Sequence, residues 1–315
     1  MADTQAGHKK EAEMFGSYYG KYLLEKGIIN SSQFADLIAA CKNSRVKMGL
    51  LAVSEGLMND EQAAEVNRLQ HIMDKRFGDI AVSKGYLTDD QVTGLLKKQG
   101  DEYLLFLQNV TERNLMTEEE FKKHLNEYKS ENGFSDGELE DIKSGDFTKI
   151  VKAFSHDDNL LKGNKVPDTI KDYISLVCRN IIRFIDSDFS IGKVRVADEF
   201  EADKFAAQPL EGQFAMLTGF TGDGLLTVGS EYAREYFEKI DLDVLDSVCE
   251  FLNCCNGLFA TNLCDEDVET DMCPPIMKDS QVKVETNGVI YEVPMCIKNQ
   301  DITLILVHGG KWQLK

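Results

Sequence analysis

No run of apolar residues in this 315-residue chain approaches the length of a membrane-spanning helix, so no membrane span is predicted. Basic residues are also scarce: 35 Lys and Arg stand against 54 Asp and Glu, for a net charge of −19 at pH 7. Without a basic stripe the chain lacks the electrostatic footprint of a DNA- or RNA-binding protein, and nucleic acid is excluded as a partner. The eight cysteines contain no C-x2-C pair, Cys254 and Cys255 are adjacent, and the five histidines show no ligand spacing. The expectation is no metal site, but buried free thiols in a reducing compartment. The first residues, MADTQAGHKKEAE, do not read as a signal peptide, which makes a cytoplasmic location the expectation. Classical hydrolase, kinase and Rossmann signatures are missing, and Gly222-Asp223-Gly224 is a turn too short for a phosphate loop.

What is present differs between the two halves. In the first, Gly27, Gly56, Gly85 and Asn114 follow one another at intervals of 29 residues. Two apolar residues come after each, then Asn30, Asn59, Thr88 or Thr117, and three positions on Gln33, Gln62, Gln91 or Glu120. This is a helix N-cap with its capping-box partner, written four times. A second glycine precedes the first by seven residues in three copies, at Gly20, Gly49 and Gly78, with Leu107 in the fourth. Each unit reads as short helix, glycine turn and capped longer helix, predicting an all-α tandem repeat array over 15–130. Residues 131–165 read as one or two short helices and a polar linker.

The second half, 166–312, reads as an α+β domain with long helices and an antiparallel sheet. Amphipathic spacing predicts helices over 169–187 and 243–263. Strand-like alternation occupies 192–198 and 212–220, the turn at Gly222–Gly224 leads into Leu225–Ser230, and 231–240 reads as a further helix. Val282, Val284 and Thr286 alternate with charged residues, Asn287-Gly288 offers a tight hairpin turn, and Val289, Tyr291 and Val293 alternate on the return. Pro294 argues for an edge or bulge, and Ile302, Leu304 and Leu306 form one face of a last strand. Exposed edges in such a domain invite a homodimer by sheet extension.

The helix at 243–263 carries the chemistry. Leu245, Val248, Leu252, Cys255 and Phe259 form an apolar stripe. At about 100° per residue, Asp246, Glu250, Asn253 and Gly257 fall within roughly 60° of one another on the other side. One face thus presents two carboxylates, an amide and a bare glycine. Acidic residues crowd this region, from Asp241 and Asp243 to Asp265, Glu266, Asp267, Glu269 and Asp271, which reads either as the complement of a basic protein surface or as a solvated acidic rim.

The pattern D-x3-E-x2-N-x21-P, formed by Asp246, Glu250, Asn253 and Pro275, resembles the active-site signature of the CheC/CheX/FliY family of chemotaxis phosphatases. The resemblance implies a CheX-like α+β domain that hydrolyses the aspartyl phosphate of a phosphorylated CheY-like response regulator. It implies that Asn253 orients the attacking water and that Glu250 docks the regulator beside Asp246 and Gly257. It also implies no cofactor of the chain's own, since the regulator brings Mg²⁺. Pro275 receives a structural role only. A second copy of the signature, carried by some relatives on their first helix, is absent: Asn180 has Val177 three residues before it and Ala202 at the proline position. The alternative is a non-catalytic adaptor, as in FliM-like proteins, or a cyclic di-GMP effector.

That last reading comes from the first half. Lys47-Met48-Gly49 through Gln70 and Arg76-Phe77-Gly78 through Gln99 resemble the tandem motif of the MshEN module of secretion and pilus ATPases. The resemblance implies cyclic di-GMP binding by Lys47, Gly49, Gln70, Arg76, Gly78 and Gln99. The second copy keeps Val82, Gly85, Val92 and Leu96, whereas the first has Ala52, Ala63 and Asn67 where the motif prefers leucine. The other reading of these glycines is that they let helices pack closely.

Overall fold

The computed structural model describes residues 14–73, 75–144, 146–186 and 189–315. They divide into two compact units between Gly145 and Asp146.

The first unit is helical. Among the described residues eight helices precede the last one: α1 Met14–Glu25, α2 Ser31–Asn43, α3 Met48–Ser54, α4 Asp60–Met73, α5 Phe77–Ser83, α6 Asp89–Lys97, α7 Glu102–Glu112 and α8 Glu118–Asn132. A ninth described helix, α9, spans Asp136–Lys143. Gly27, Gly56, Gly85 and Asn114 all adopt positive φ, at 68°, 67°, 73° and 54°. Each closes the preceding helix with the same pair of backbone bonds, for example Gly56 N–H to Val53 O and Leu57 N–H to Ala52 O. That is the left-handed helix stop that glycine and asparagine tolerate. Asn30, Thr88 and Thr117 make full capping boxes with Gln33, Gln91 and Glu120, and Asn59 and Gln62 exchange the same two bonds. Ser135 and Glu138 form a further box at the start of α9. An aromatic cluster of Phe15, Tyr19, Phe106 and Phe121 fills the interior, where the Tyr19 hydroxyl donates to Phe121 O.

In the second unit, short helices α10 (Phe147–Ala153) and α11 (Asp158–Leu161) precede the long α12 (Asp168–Phe184). Ile150, Val151, Phe154 and Leu161 are buried, so this stretch packs as part of the unit. Strands β1 Phe189–Ile191, β2 Arg195–Ala197, β3 Phe200–Ala202, β4 Phe205–Gly212 and β5 Met216–Thr221 follow. After helices α13 (Leu225–Ala233) and α14 (Leu242–Asp265) come β6 Thr270–Met272, β7 Ile276–Lys278, β8 Val282–Thr286, β9 Val289–Ile297, β10 Gln300–His308 and β11 Trp312–Leu314. The main antiparallel sheet runs β1-β9-β10-β5-β4-β6, with β2 also on β9 and β7 also on β4. A second sheet runs β11-β8-β3. Phe200, Phe205, Ala207, Leu217, Val282, Val284, Ile305 and Val307 form the core between the two sheets. The other face of the main sheet carries α14, which contacts β4, β6 and β7.

Three local expectations need correction. Residues 225–233 are helical, and the helix predicted over 231–240 ends at Ala233 because Arg234 turns left-handed, with φ 57°. The strand expected over 192–198 shrinks to Arg195–Ala197. Asn287-Gly288 does not join a hairpin, since β8 pairs with β3 and β11 whereas β9 pairs with β10. A two-residue type I′ turn needs positive φ at both positions. Lys298 and Asn299 supply it, at 49° and 62°, and make the β9–β10 turn instead. Pro294 behaves as expected of a proline in a strand: it sits opposite the gap between β1 and β2, where Gly192 N–H donates to its carbonyl oxygen.

Candidate functional site

Helix α14 begins at Asp241, whose carboxylate caps the Val244 N–H. Its stripe of Leu245, Val248, Leu252, Cys255 and Phe259 is buried to 2% exposure or less. Burial of each of these larger side chains is worth about 1.5–3 kcal/mol, so the rotation of the helix about its axis is fixed. That rotation turns Asp246, Glu250 and Asn253 to the exposed side, with Gly257 half-buried in the same row. Among the described residues neither Asp246 nor Glu250 makes an ion pair. Between them in sequence, the Cys249 thiol is pushed up to about 12, first by burial, with both carboxylates acting in the same direction. Asp243, Asp265, Glu266, Asp267, Glu269 and Asp271 are exposed around the helix ends. At Gly257 a Cβ would lie 3.7 Å from the Met272 methyl group, an ordinary contact, and Met272 is itself 44% exposed.

Asn253 is tethered from below. Gln208, on the helix-facing side of β4, donates from Nε2 to Asn253 Oδ1 at 3.0 Å and to Cys273 O at 3.0 Å. Gln208 Oε1 accepts from Asn256 Nδ2 at 2.8 Å. Asn256, fully buried, also accepts from the Tyr173 hydroxyl at 2.7 Å. Thr218 completes the group by donating to Gln208 O at 3.1 Å. Sequence reading did not find Gln208. Its only signal is one amide in the apolar stretch Phe205–Leu210, and its partners lie 45, 48 and 65 positions away. Pro275 follows Cys273 and Pro274 in the break between β6 and β7, opposite Pro209 of β4, where Cys273 N–H donates to Pro209 O. Asn180, of the absent second copy, is buried and donates to Cys255 Sγ.

In the first unit, Lys47, Gln70 and Arg76 line one cleft of about 590 Å³, together with Met48, Asn67 and Phe77. Lys47 is paired there with Glu112 at 2.6 Å. The other three residues of that set do not line it. A Cβ at Gly78 would fall 2.7 Å from Val92 Cγ1, and one at Gly49 3.2 Å from Phe77 Cε2, so both glycines are occupied in helix packing. Gln99 exchanges backbone and side-chain bonds with Val46.

No protein-family model matches the chain, and no curated protein does. Solved structures do. A chemotaxis protein CheX from Desulfovibrio desulfuricans is 15% identical, with 45% of this chain and 100% of that one covered at a TM-score of 0.39. A CheC-like superfamily protein from Shewanella sp. PV-4 is 20% identical over 46% and 99%, at 0.41. CheX of Borrelia burgdorferi, solved in complex with CheY, BeF3 and Mg²⁺, is 16% identical over 44% and 96%, at 0.38. These three solved structures, CheX- and CheC-like chemotaxis proteins, each match about 45% of this chain's length.

Proposed function

We propose that the chain hydrolyses the aspartyl phosphate of a phosphorylated CheY-like response regulator. The observation that carries this reading is the exposed face of α14. Glu250 and Asn253 stand there at the signature spacing, and the amide of Asn253 is held from beneath while Glu250 has no cation partner among the described residues. An acyl phosphate is already activated, so its hydrolysis needs a water in line with phosphorus and stabilisation of spreading charge, not a strong base. The Asn253 amide offers a donor and an acceptor to hold that water. The water oxygen forms a bond to phosphorus, the bond to the aspartate oxygen breaks, and inorganic phosphate leaves. Glu250 pairs with a lysine of the regulator, Asp246 and Gly257 border the docking surface, and the regulator's own Mg²⁺ neutralises the phosphoryl group. The acidic surroundings favour a basic face on the partner. The protein acts in the cytoplasm, as a dimer joined through a sheet edge. The test is loss of phosphate from a CheY-like receiver domain in the presence of Mg²⁺, with and without the protein. No acceleration removes the phosphatase reading.

We propose, as the second reading, that the first unit is a tandem helical array that binds cyclic di-GMP in the Lys47–Gln70–Arg76 cleft. The joint lining by two cations and an amide favours it. Calorimetric titration with cyclic di-GMP tests it, with Arg76→Glu as control. If only this binding is found, the chain is an effector or adaptor rather than an enzyme.

A further inference from the structure

We propose that Gln208 is a positioning residue that locks the amide of Asn253 in one orientation, carbonyl oxygen toward the protein and NH2 toward the incoming regulator. The consequence for turnover rests on the phosphatase reading; the orientation itself does not.

The polarity of the amide chain follows from its backbone ends. Cys273 O is a carbonyl and can only accept, so the Gln208 atom 3.0 Å from it must be the NH2 nitrogen. Its second hydrogen points at Asn253, which must therefore offer Oδ1, at 3.0 Å. Gln208 Oε1 then faces Asn256 Nδ2, and Asn256 Oδ1 receives the Tyr173 hydroxyl. Rotating any amide by 180° would set donor against donor or acceptor against acceptor. Gln208 is 2% exposed, and Asn256 and Tyr173 are 0% exposed, so water cannot repair such a fault. An exposed asparagine would otherwise present its amide in two orientations. Here it presents one, with both Nδ2 hydrogens and one lone pair of Oδ1 left for the water and the phosphoryl group.

The anchor carbonyl is itself fixed. Cys273 precedes Pro274, which confines it to extended backbone, and its N–H donates to Pro209 O. Pro274, the neighbour of the signature's Pro275, therefore has a place in the chemistry: it holds the carbonyl that orients Gln208, which orients Asn253.

The experiment uses the full chain and two variants, Gln208→Met and Gln208→Glu. Glu keeps the acceptor for Asn256 and loses the donor, so it serves if Met does not fold. The side-chain 15NH2 signals of Asn253 should show the order of the folded backbone in the wild type and lose it in either variant. In the dephosphorylation assay kcat should fall at least tenfold, with affinity for the beryllofluoride-activated regulator within twofold of wild type. An Asn253 amide as ordered in both variants as in the wild type overturns the proposal, as does unchanged kcat in an active protein. If the wild type proves inactive, the phosphatase reading fails, and the NMR result alone decides the orientation.

Discussion

Asn256 is fully buried where α12, α14 and β4 meet, and replacing it with alanine strands two groups that water does not reach. The Tyr173 hydroxyl loses its acceptor at 2.7 Å, and Gln208 Oε1 loses its donor at 2.8 Å. Each buried polar group left without a partner costs about 1–3 kcal/mol, so Asn256→Ala should destabilise the second unit by about 2–6 kcal/mol. For a domain of this size that corresponds to a drop of roughly 5–20 °C in Tm. Urea unfolding followed by circular dichroism gives the free energy, and Tyr173→Phe supplies the second arm of a cycle. With the hydroxyl already removed, Asn256→Ala strands one group fewer, so the double variant should be about 1–3 kcal/mol more stable than the two single losses predict. A loss below about 1 kcal/mol for Asn256→Ala, or additivity within about 0.5 kcal/mol, would refute the buried amide chain.

Glu250→Ala should weaken both regulator binding and turnover, because its loss removes the docking charge; unchanged affinity in a titration would take Glu250 out of the interface. Gly257→Ala should raise stability by up to about 1 kcal/mol, since alanine favours the helix and its Cβ meets only Met272 at 3.7 Å, while reducing regulator affinity. A more stable variant with unchanged affinity would show that the partner does not approach there. Among the thiols, exposed Cys264 should react first with iodoacetamide at pH 8. Cys249 and Cys255 should resist it: burial lifts each to about 12, leaving little thiolate at that pH. Mass spectrometry over time checks the order.

The α14 face was legible because a stripe at helical spacing fixes what lies opposite it, and all five stripe residues are buried. The caps were legible for a local reason as well: Asn30 and Gln33, or Thr117 and Glu120, are three residues apart and satisfy each other's backbone. Where non-local pairing decides, the sequence misleads. Asn287-Gly288 has the composition of a hairpin turn, yet Asn287 Oδ1 instead accepts from Lys311 N–H, and the β9–β10 turn falls on Lys298 and Asn299 without any glycine. Leu225–Ala233 is equally apolar in either conformation, and burial beneath α14 selects the helix. Gln208 was out of reach altogether. Its meaning lies in bonds to Asn253, Asn256 and Cys273, which only the closed sheet brings together.

The measurement that bears most directly on the central claim is dephosphorylation of a CheY-like regulator, with Mg²⁺, by wild type and Asn253→Ala side by side, each paired with its affinity for the beryllofluoride-activated regulator. The account predicts acceleration by wild type, its loss by at least a hundredfold in Asn253→Ala, and similar affinity for both. Equal turnover in the two proteins would contradict it.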